Sequence, residues 1–314
     1  MTRLRVGLIG TGPWATQTHA PVLAAHPDAT LSGIWGRRPQ AAADLANAHA
    51  TTAYEDLDEL FAASDAIAFA VPPDVQAPLA ERAAAAGRHL LLDKPIATSP
   101  EAARTLAAAV AKAGVASVVF FTLRFAPPMA GWLADRSQEG PWFTARADWY
   151  SSFFAADGTG AFDSPWRADK GGLWDVGPHA LSVLTAVLGE VTAVTAAPGP
   201  EDAVHLVLRH ESGASSTATL TLRAPAAAEG LVLEFRGEQG TATPPGWGES
   251  GWGDSTDAFR SAVAALAQAA GGGKQHPCDV HFGLRVTDVL TEAERQVAAR
   301  RASELPARSS AQAP

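Results

Sequence analysis

The chain has 314 residues, enough for two domains and a sizeable buried interior. A net charge of −9 argues against nucleic acid as a partner, which needs clustered Lys and Arg to release counterions. Cys278 is the only cysteine; this excludes an intramolecular disulfide and a cysteine-based metal cage, and reads as a buried thiol. No apolar run is long enough to span a bilayer and the start, Met1 to Gly10, is too short in apolar length for a signal peptide, so the expected location is cytoplasmic.

Residues 4 to 9, rich in Val, Leu and Ile, predict a first strand. Gly10-Thr11-Gly12-Pro13-Trp14-Ala15 follows, then a helical pattern through Val22 and Leu23. Strand, glycine turn and helix in this order open a dinucleotide-binding unit. Gly10 permits the tight turn, Gly12 lets the backbone approach a pyrophosphate, and Ala15 lets the helix pack close to the strand. The amides at the helix start provide an anion site, and Thr11, Pro13 and Trp14 complete the predicted cofactor loop. The second strand, Ala29 to Trp35, ends in Gly36-Arg37-Arg38-Pro39. An acid that would hydrogen-bond a ribose 2′-hydroxyl is missing there, whereas Arg37 and Arg38 suit a 2′-phosphate. This favours NADP(H) over NAD(H) as the cofactor.

Further units follow: a helix over Glu55 to Ala62, a strand over Ala66 to Val71, and Pro72-Pro73, of which Pro72 is expected against a nicotinamide ribose. A helix over Asp74 to Ala86 leads to the apolar run Leu90-Leu91-Leu92, which stops at Asp93-Lys94-Pro95. Lys94 thus stands at the carboxyl end of a strand, where open α/β sheets gather their ligands. Thr98-Ser99-Pro100-Glu101 reads as the cap and first turn of a helix to Lys112, and Val115 to Phe121 as another strand. The alternation then ends, which places a domain boundary near residue 122.

Beyond it a helix runs from Arg124 toward Arg136, and Trp142 to Phe154 reads as a long strand. Ala155 to Lys170 reads as a loop, followed by Gly171-Gly172-Leu173-Trp174-Asp175-Val176-Gly177-Pro178-His179 and a helix closing at Gly189. Strand-like segments Val191 to Ala196, Ala203 to His210, Ser216 to Leu222 and Leu231 to Phe235 predict a largely antiparallel sheet, suited to act as substrate wall and subunit interface. Pro244 to Ser255 reads as a loop, Asp257 to Ala270 and His281 to Arg301 as helices, and 302–314 as a disordered tail. If a helix begins at or just after Asp175, Asp175 and His179 share one face and the dipole favours the carboxylate. On the pair alone, Asp175 as only an N-cap and His179 as only an interior histidine is the favoured reading. Two such groups without a third do not make a zinc site, so no metal is expected.

The ordered set of the glycine turn, Asp93-Lys94-Pro95 and the segment Gly171 to His179 resembles the Gfo/Idh/MocA family of nicotinamide-dependent oxidoreductases along nearly the whole chain. The resemblance implies an α/β N-terminal Rossmann domain (1–122) and an α+β C-terminal domain (123–301) with an open, mainly antiparallel sheet. It implies hydride transfer on sugars, polyols or related alcohols. It also implies Lys94, beside the cofactor, and His179 as acid/base groups, and Asp175 as the carboxylate that orients substrate hydroxyls. The open sheet leads us to expect a homodimer or homotetramer. Three residues depart from the family pattern: Asp93 replaces a glutamate, Gln76 stands where many members carry histidine, and Ser182 stands where an aspartate commonly follows the histidine. The chemistry is consistent, because hydride exchange at an alcohol carbon needs a group about 3 Å away to give or take the proton. A non-catalytic dinucleotide sensor and a reductase of imines or enones remain alternatives on the same fold. Trp142, Trp149, Trp166 and Trp174 lie near these motifs, where core packing or ligand stacking fits each.

Overall fold

The structure, a computed structural model, describes residues 3–155, 164–244 and 254–304, so parts of the two expected loops and the tail from 305 lie outside the described residues. In the first half the order is β1 (Leu4–Ile9), a π-helical turn (Ala15–His19) running into α1 (Ala20–Ala25), β2 (Ala29–Trp35), α2 (Pro39–Ala48), α3 (Leu57–Ala63) and β3 (Ala66–Phe69). Then come α4 (Pro73–Ala85), β4 (His89–Asp93), α5 (Pro100–Ala113) and β5 (Ser117–Phe120). The strands form a parallel sheet in the order β2-β1-β3-β4-β5. Because β1 pairs with both β2 and β3, the connections leave it in opposite directions, and the crevice at its carboxyl end is a topological switch point. β3 and β5 are buried at every residue because helices cover both faces, which is why they read as continuous apolar runs. The Asp56 carboxylate caps α3, and Ser99 caps α5 with Pro100 in its first turn.

In the second half α6 (Thr122–Phe125) and α7 (Pro127–Gln138) lead into β6 (Trp142–Tyr150), followed by α8 (Pro165–Asp175) and α9 (Gly177–Leu188). β7 (Val191–Pro198), β8 (Val204–His210), β9 (Ser215–Thr221), β10 (Gly230–Gly237) and β11 (Gly240–Ala242) precede the long helices α10 (Ser255–Ala270) and α11 (Val280–Glu304). The sheet order is β11-β10-β6-β9-β8-β7, antiparallel throughout except for the β6–β9 pair. β8 alternates buried and exposed residues along its length, with one face buried and the other open. No helix among the described residues is long and apolar enough to cross a membrane.

Several expected boundaries shift. The strand predicted to reach Phe154 stops at Tyr150, because Ser151 and Phe154 donate their amides to Thr221 and Leu222 and fold the chain back over the end of β9. The predicted loop over 155–170 is helical from Pro165. Asp175 closes α8, and the helix expected at or just after it is α9, which starts at Gly177 and holds His179 in its first turn without including Asp175. Asp175 stands directly before Val176, the N-cap of α9, so the two helix dipoles act on its carboxylate in opposite senses and the neighbouring cations hold the charge. α11 runs through Glu304, past the expected limit at Arg301.

The two halves are also more interleaved than a single boundary at 122 implies. α10 returns to pack on β4, β5 and the π-helical turn. Its Phe259 ring lies 4.0 Å from the ring of His19 and 5.1 Å from that of Phe120. Beyond α10, the Cys278 carbonyl accepts the Val119 amide at 2.7 Å. Cys278 is fully buried, as read from the sequence, and burial pushes its thiol up to about 11.

Candidate active site

At the carboxyl ends of β1, β2 and β3 lies a cavity of about 340 Å³, lined by Gly10, Thr11, Gly12, Trp35, Gly36, Arg37, Arg38, Ala70, Val71, Pro72 and Val75. Its glycines have separate reasons. Gly10 has φ of 134°, and a Cβ there would sit 2.4 Å from the Ala70 carbonyl oxygen. Gly12 faces open space: a Cβ would meet nothing within 4 Å, leaving the room a phosphate needs beside exposed amides. Trp35 is fixed by its indole N–H, which donates to the Glu55 carbonyl at 3.1 Å. Arg37 and Arg38 are the only charged side chains lining this cavity among the described residues. The glycine cradle, the open space over Gly12 and the two cations fit a dinucleotide. Of the residues expected to hold it, Pro13 lines neither this cavity nor its neighbour, and Trp14 and Lys94 line the neighbour instead.

That second cavity, of about 190 Å³, opens at the carboxyl end of β4 and brings together Lys94, Asp175 and His179 with Asp93, Trp14, Thr122, Phe153, Phe154 and Arg167. Lys94 Nζ donates to the Asp175 carbonyl at 2.6 Å and to Asp175 Oδ1 at 3.0 Å. Arg167 Nε donates to the same Oδ1 at 3.1 Å. Burial alone would raise the Asp175 carboxyl, but the Lys94 and Arg167 cations outweigh it and hold the group well below the usual carboxylate range. Asp93 is pushed up by burial, against the pull of the Lys94 charge, and its Oδ1 accepts the Lys94 amide at 2.8 Å. The His179 ring stacks on Trp149 with centroids 5.2 Å apart. Burial first, and Lys94 second, lower His179 well below its ordinary value, so its imidazole is neutral at neutral pH. Its Nδ1 is buried with no hydrogen-bond partner among the described residues.

The glycine motif delivers Asp175 to this place. Gly171 turns α8 through φ of 62°, and a Cβ on Gly172 would lie 2.6 Å from Thr221 Cα, so only glycine lets α8 lie against β9. Asp202 locks the contact by accepting the amides of Gly172 and Leu222, each at 2.9 Å. Glu294 on α11 accepts from Lys170 Nζ at 2.9 Å and from Trp174 Nε1 at 3.0 Å. Trp174 and Trp142 are packing residues, the latter against Phe235, whereas Trp149 backs His179 and Trp166 lies beneath the Arg167 guanidinium. Ser182 points away from the cavity, its hydroxyl donating to the His179 carbonyl at 2.8 Å. Arg167, Thr122, Phe153 and Phe154 were not singled out from the sequence. Arg167 falls in a stretch read as loop, where its eight-residue spacing from Asp175 carries no signal.

Residues 4–121 match the family model described as "Oxidoreductase family, NAD-binding Rossmann fold", and residues 133–243 match the "GFO/IDH/MocA C-terminal domain". The chain belongs to the Gfo/Idh/MocA family. It is 30% identical over 202 residues to galactose 1-dehydrogenase of Pseudomonas fluorescens, covering 60% of this chain and 58% of that protein. It is 30% identical over 196 residues to dTDP-3,4-didehydro-2,6-dideoxy-alpha-D-glucose 3-reductase of Streptomyces antibioticus, covering 60% and 57%. The chain thus spans under two thirds of the length of these curated relatives. Among solved structures, GenD2 from gentamicin A biosynthesis in complex with NAD superposes with a TM-score of 0.80 at 25% identity, covering 96% of each chain. The expected fold therefore stands: a parallel Rossmann sheet followed by an α+β unit with an open, mainly antiparallel sheet.

Proposed function

We propose that the chain is an NAD(P)-dependent dehydrogenase or reductase that moves hydride between nicotinamide and a hydroxyl-bearing or carbonyl carbon of a carbohydrate, polyol or similar small molecule. The observation that carries this reading is the adjacency of the glycine cradle to a buried Lys94–Asp175 pair, 3.0 Å apart, at the carboxyl end of β4. The names of the two curated relatives support a carbohydrate substrate.

The bound nicotinamide nucleotide supplies or accepts the hydride. Gly10, Thr11 and Gly12 would hold its pyrophosphate, Pro72 its nicotinamide side, and Arg37 and Arg38 a 2′-phosphate, which favours NADP(H). Lys94 gives a proton to the substrate oxygen during reduction and takes it back during oxidation. Asp175 holds the Lys94 ammonium in place by accepting from it through both its carbonyl and Oδ1. His179, neutral at neutral pH, binds and orients the reacting oxygen and shares with Lys94 the role of proton acceptor during oxidation. The open face of the second sheet is the surface we assign to a homodimer or homotetramer. A sensor would have no use for the Lys94–Asp175 pair, which favours the enzyme.

The test is to titrate NADPH and NADH by fluorescence, then follow nicotinamide absorbance across a panel of sugars and polyols. Wild type is expected to turn over, and Lys94→Met to lose about 10²–10⁴-fold in kcat with little change in NADPH affinity. Tight NADPH binding without turnover across the panel would overturn the enzyme in favour of the sensor.

A further inference from the structure

We propose that a cavity between α7, α9 and α11 is a second ligand site, apart from the active site, and that it binds a small organic phosphate: a monoester with an apolar carbon body. The proposal does not depend on the oxidoreductase reading, because its residues line neither the nucleotide cavity nor the one that holds Lys94.

The cavity has a volume of about 470 Å³, larger than either of those two and within the range of small-molecule sites. Ala130 and Ala134 on α7 and Ala186 on α9 supply short side chains to its wall, which leaves that room. Arg124 on α6 and Arg285 on α11 both line it, and a single ring steadies both: their guanidinium carbons lie 5.8 and 5.6 Å from the centre of Phe282. Guanidiniums already held on an aromatic face lose little further freedom when an anion arrives. Each arginine is only partly engaged. Arg124 Nη1 donates to the Ser182 carbonyl at 2.9 Å, and Arg285 Nη2 lies 2.9 Å from Glu190 Oε1; their other nitrogens have no partner among the described residues. The free edges of two planar forks suit phosphate oxygens.

His276, which lines the same cavity, is the third donor. Its ring stacks on Phe125 and its Nδ1 accepts the Cys278 amide at 3.0 Å, so in the neutral ring the proton sits on Nε2, which has no partner among the described residues. Burial first, and the Arg124 charge second, push this imidazole down to about 4, so at neutral pH it donates without carrying charge. The nearby acids are engaged: Glu190, the one acid lining the cavity, by Arg285, and Asp279 by the Phe282 amide at 2.9 Å. Donors thus outnumber acceptors, and a phosphate monoester answers with three terminal oxygens where a carboxylate has two. A recess of about 210 Å³ adjoins the cavity, sharing Phe282 and Arg285 with it. Leu181, Val191, Val286 and Val289 wall this recess, and its further acid, Asp288, is paired with Arg104 at 3.0 Å. An apolar body attached to the phosphate would pack there.

The experiment is calorimetric titration of the full chain saturated with NADPH, which keeps the probes out of the Arg37–Arg38 cavity, using phenyl phosphate, inorganic phosphate and benzoate. Phenyl phosphate is expected to bind with a Kd of about 1 mM or tighter, at least about 5-fold more tightly than either of the others. Two substitutions then carry opposite signs. Arg285→Gln should weaken phenyl phosphate about 10-fold, whereas Glu190→Gln, which removes a negative charge and frees Arg285, should tighten it about 5-fold. Damaged folding does not produce a gain in affinity. Failure of phenyl phosphate to bind, equal binding of benzoate or inorganic phosphate, an affinity unmoved by Arg285→Gln, or a Glu190→Gln protein that binds no more tightly than wild type would each overturn the proposal. Loss of binding in an Arg37→Ala, Arg38→Ala double variant but not in Arg285→Gln would put the anion in the nucleotide cavity and overturn it as well.

Discussion

Gln76 grips the peptide unit of Asp93 from both sides: its Oε1 accepts the Asp93 amide at 2.7 Å and its Nε2 donates to the Asp93 carbonyl at 2.9 Å. The same Nε2 reaches the carbonyls of Pro95 at 3.3 Å and Ile96 at 3.4 Å, and the side chain is fully buried. One amide from α4 therefore sets the path of the chain on either side of Lys94.

Gln76→Met keeps the volume but leaves buried backbone groups unpaired. Stability in urea should fall by about 2–3 kcal/mol. Turnover should fall about 10-fold or more, because Lys94 loses its fixed backbone, whereas NADPH affinity should change little. Unchanged turnover in a folded Gln76→Met protein would remove Gln76 from any role in placing Lys94.

Between pH 6.5 and 4 the fold should lose stability through His19. Burial pushes its imidazole down to about 4, so the native state holds the neutral form and the unfolded chain binds the extra proton. The contribution is complete above the unfolded value of about 6.5 and is lost as pH falls toward 4, a gap worth about 3 kcal/mol. His19→Gln, which keeps a donor for the Trp14 carbonyl, should flatten this part of the stability profile by that amount. Equal slopes for wild type and variant would show that other histidines account for it.

The arginine pair at the end of β2 is expected to decide between cofactors. In an Arg37→Ala, Arg38→Ala double variant, NADPH affinity should drop about 30-fold and NADH affinity less than about 3-fold. A parallel loss for both nucleotides would mean that the pair contacts only what they share.

Gly172→Ala should be costly out of proportion to one methyl group. The new Cβ would meet Thr221 Cα at 2.6 Å and Thr221 N at 2.7 Å, backbone atoms that cannot turn aside. A loss of about 2–3 kcal/mol is expected in thermal or urea unfolding, with lower turnover because α8 carries Asp175 and Arg167. Wild-type stability in this variant would show that α8 lifts off β9 at little cost.

The contrast between what was and was not legible in the sequence follows the range of the interactions. The Rossmann strands were readable because burial on both faces turns them into apolar runs, and Lys94 because a strand ends in front of it. The second sheet was readable as strands but not in pairing, since the parallel β6–β9 contact joins segments far apart in the chain. Asp175 and His179 were found, yet their shared helix was not there: four-residue spacing cannot distinguish one helix from two that meet at Val176. Arg167 was invisible because its bond to Asp175 depends on the turn at Gly171. Gln76 was noticed only as a departure from the family pattern, and its hold on Asp93 spans two elements.

The return of α10 onto β4 and β5 bears on how such proteins exchange parts. Phe259 covers His19 and Phe120, so a first half cut at residue 122 would present those rings to water and leave the Val119 amide without its Cys278 partner. A chimaera that grafts the substrate unit of a relative onto this nucleotide unit must therefore carry residues 255–280 with the nucleotide unit. The nucleotide unit is thus discontinuous along the chain, and a single crossover near residue 122 would separate its core from the helix that covers it.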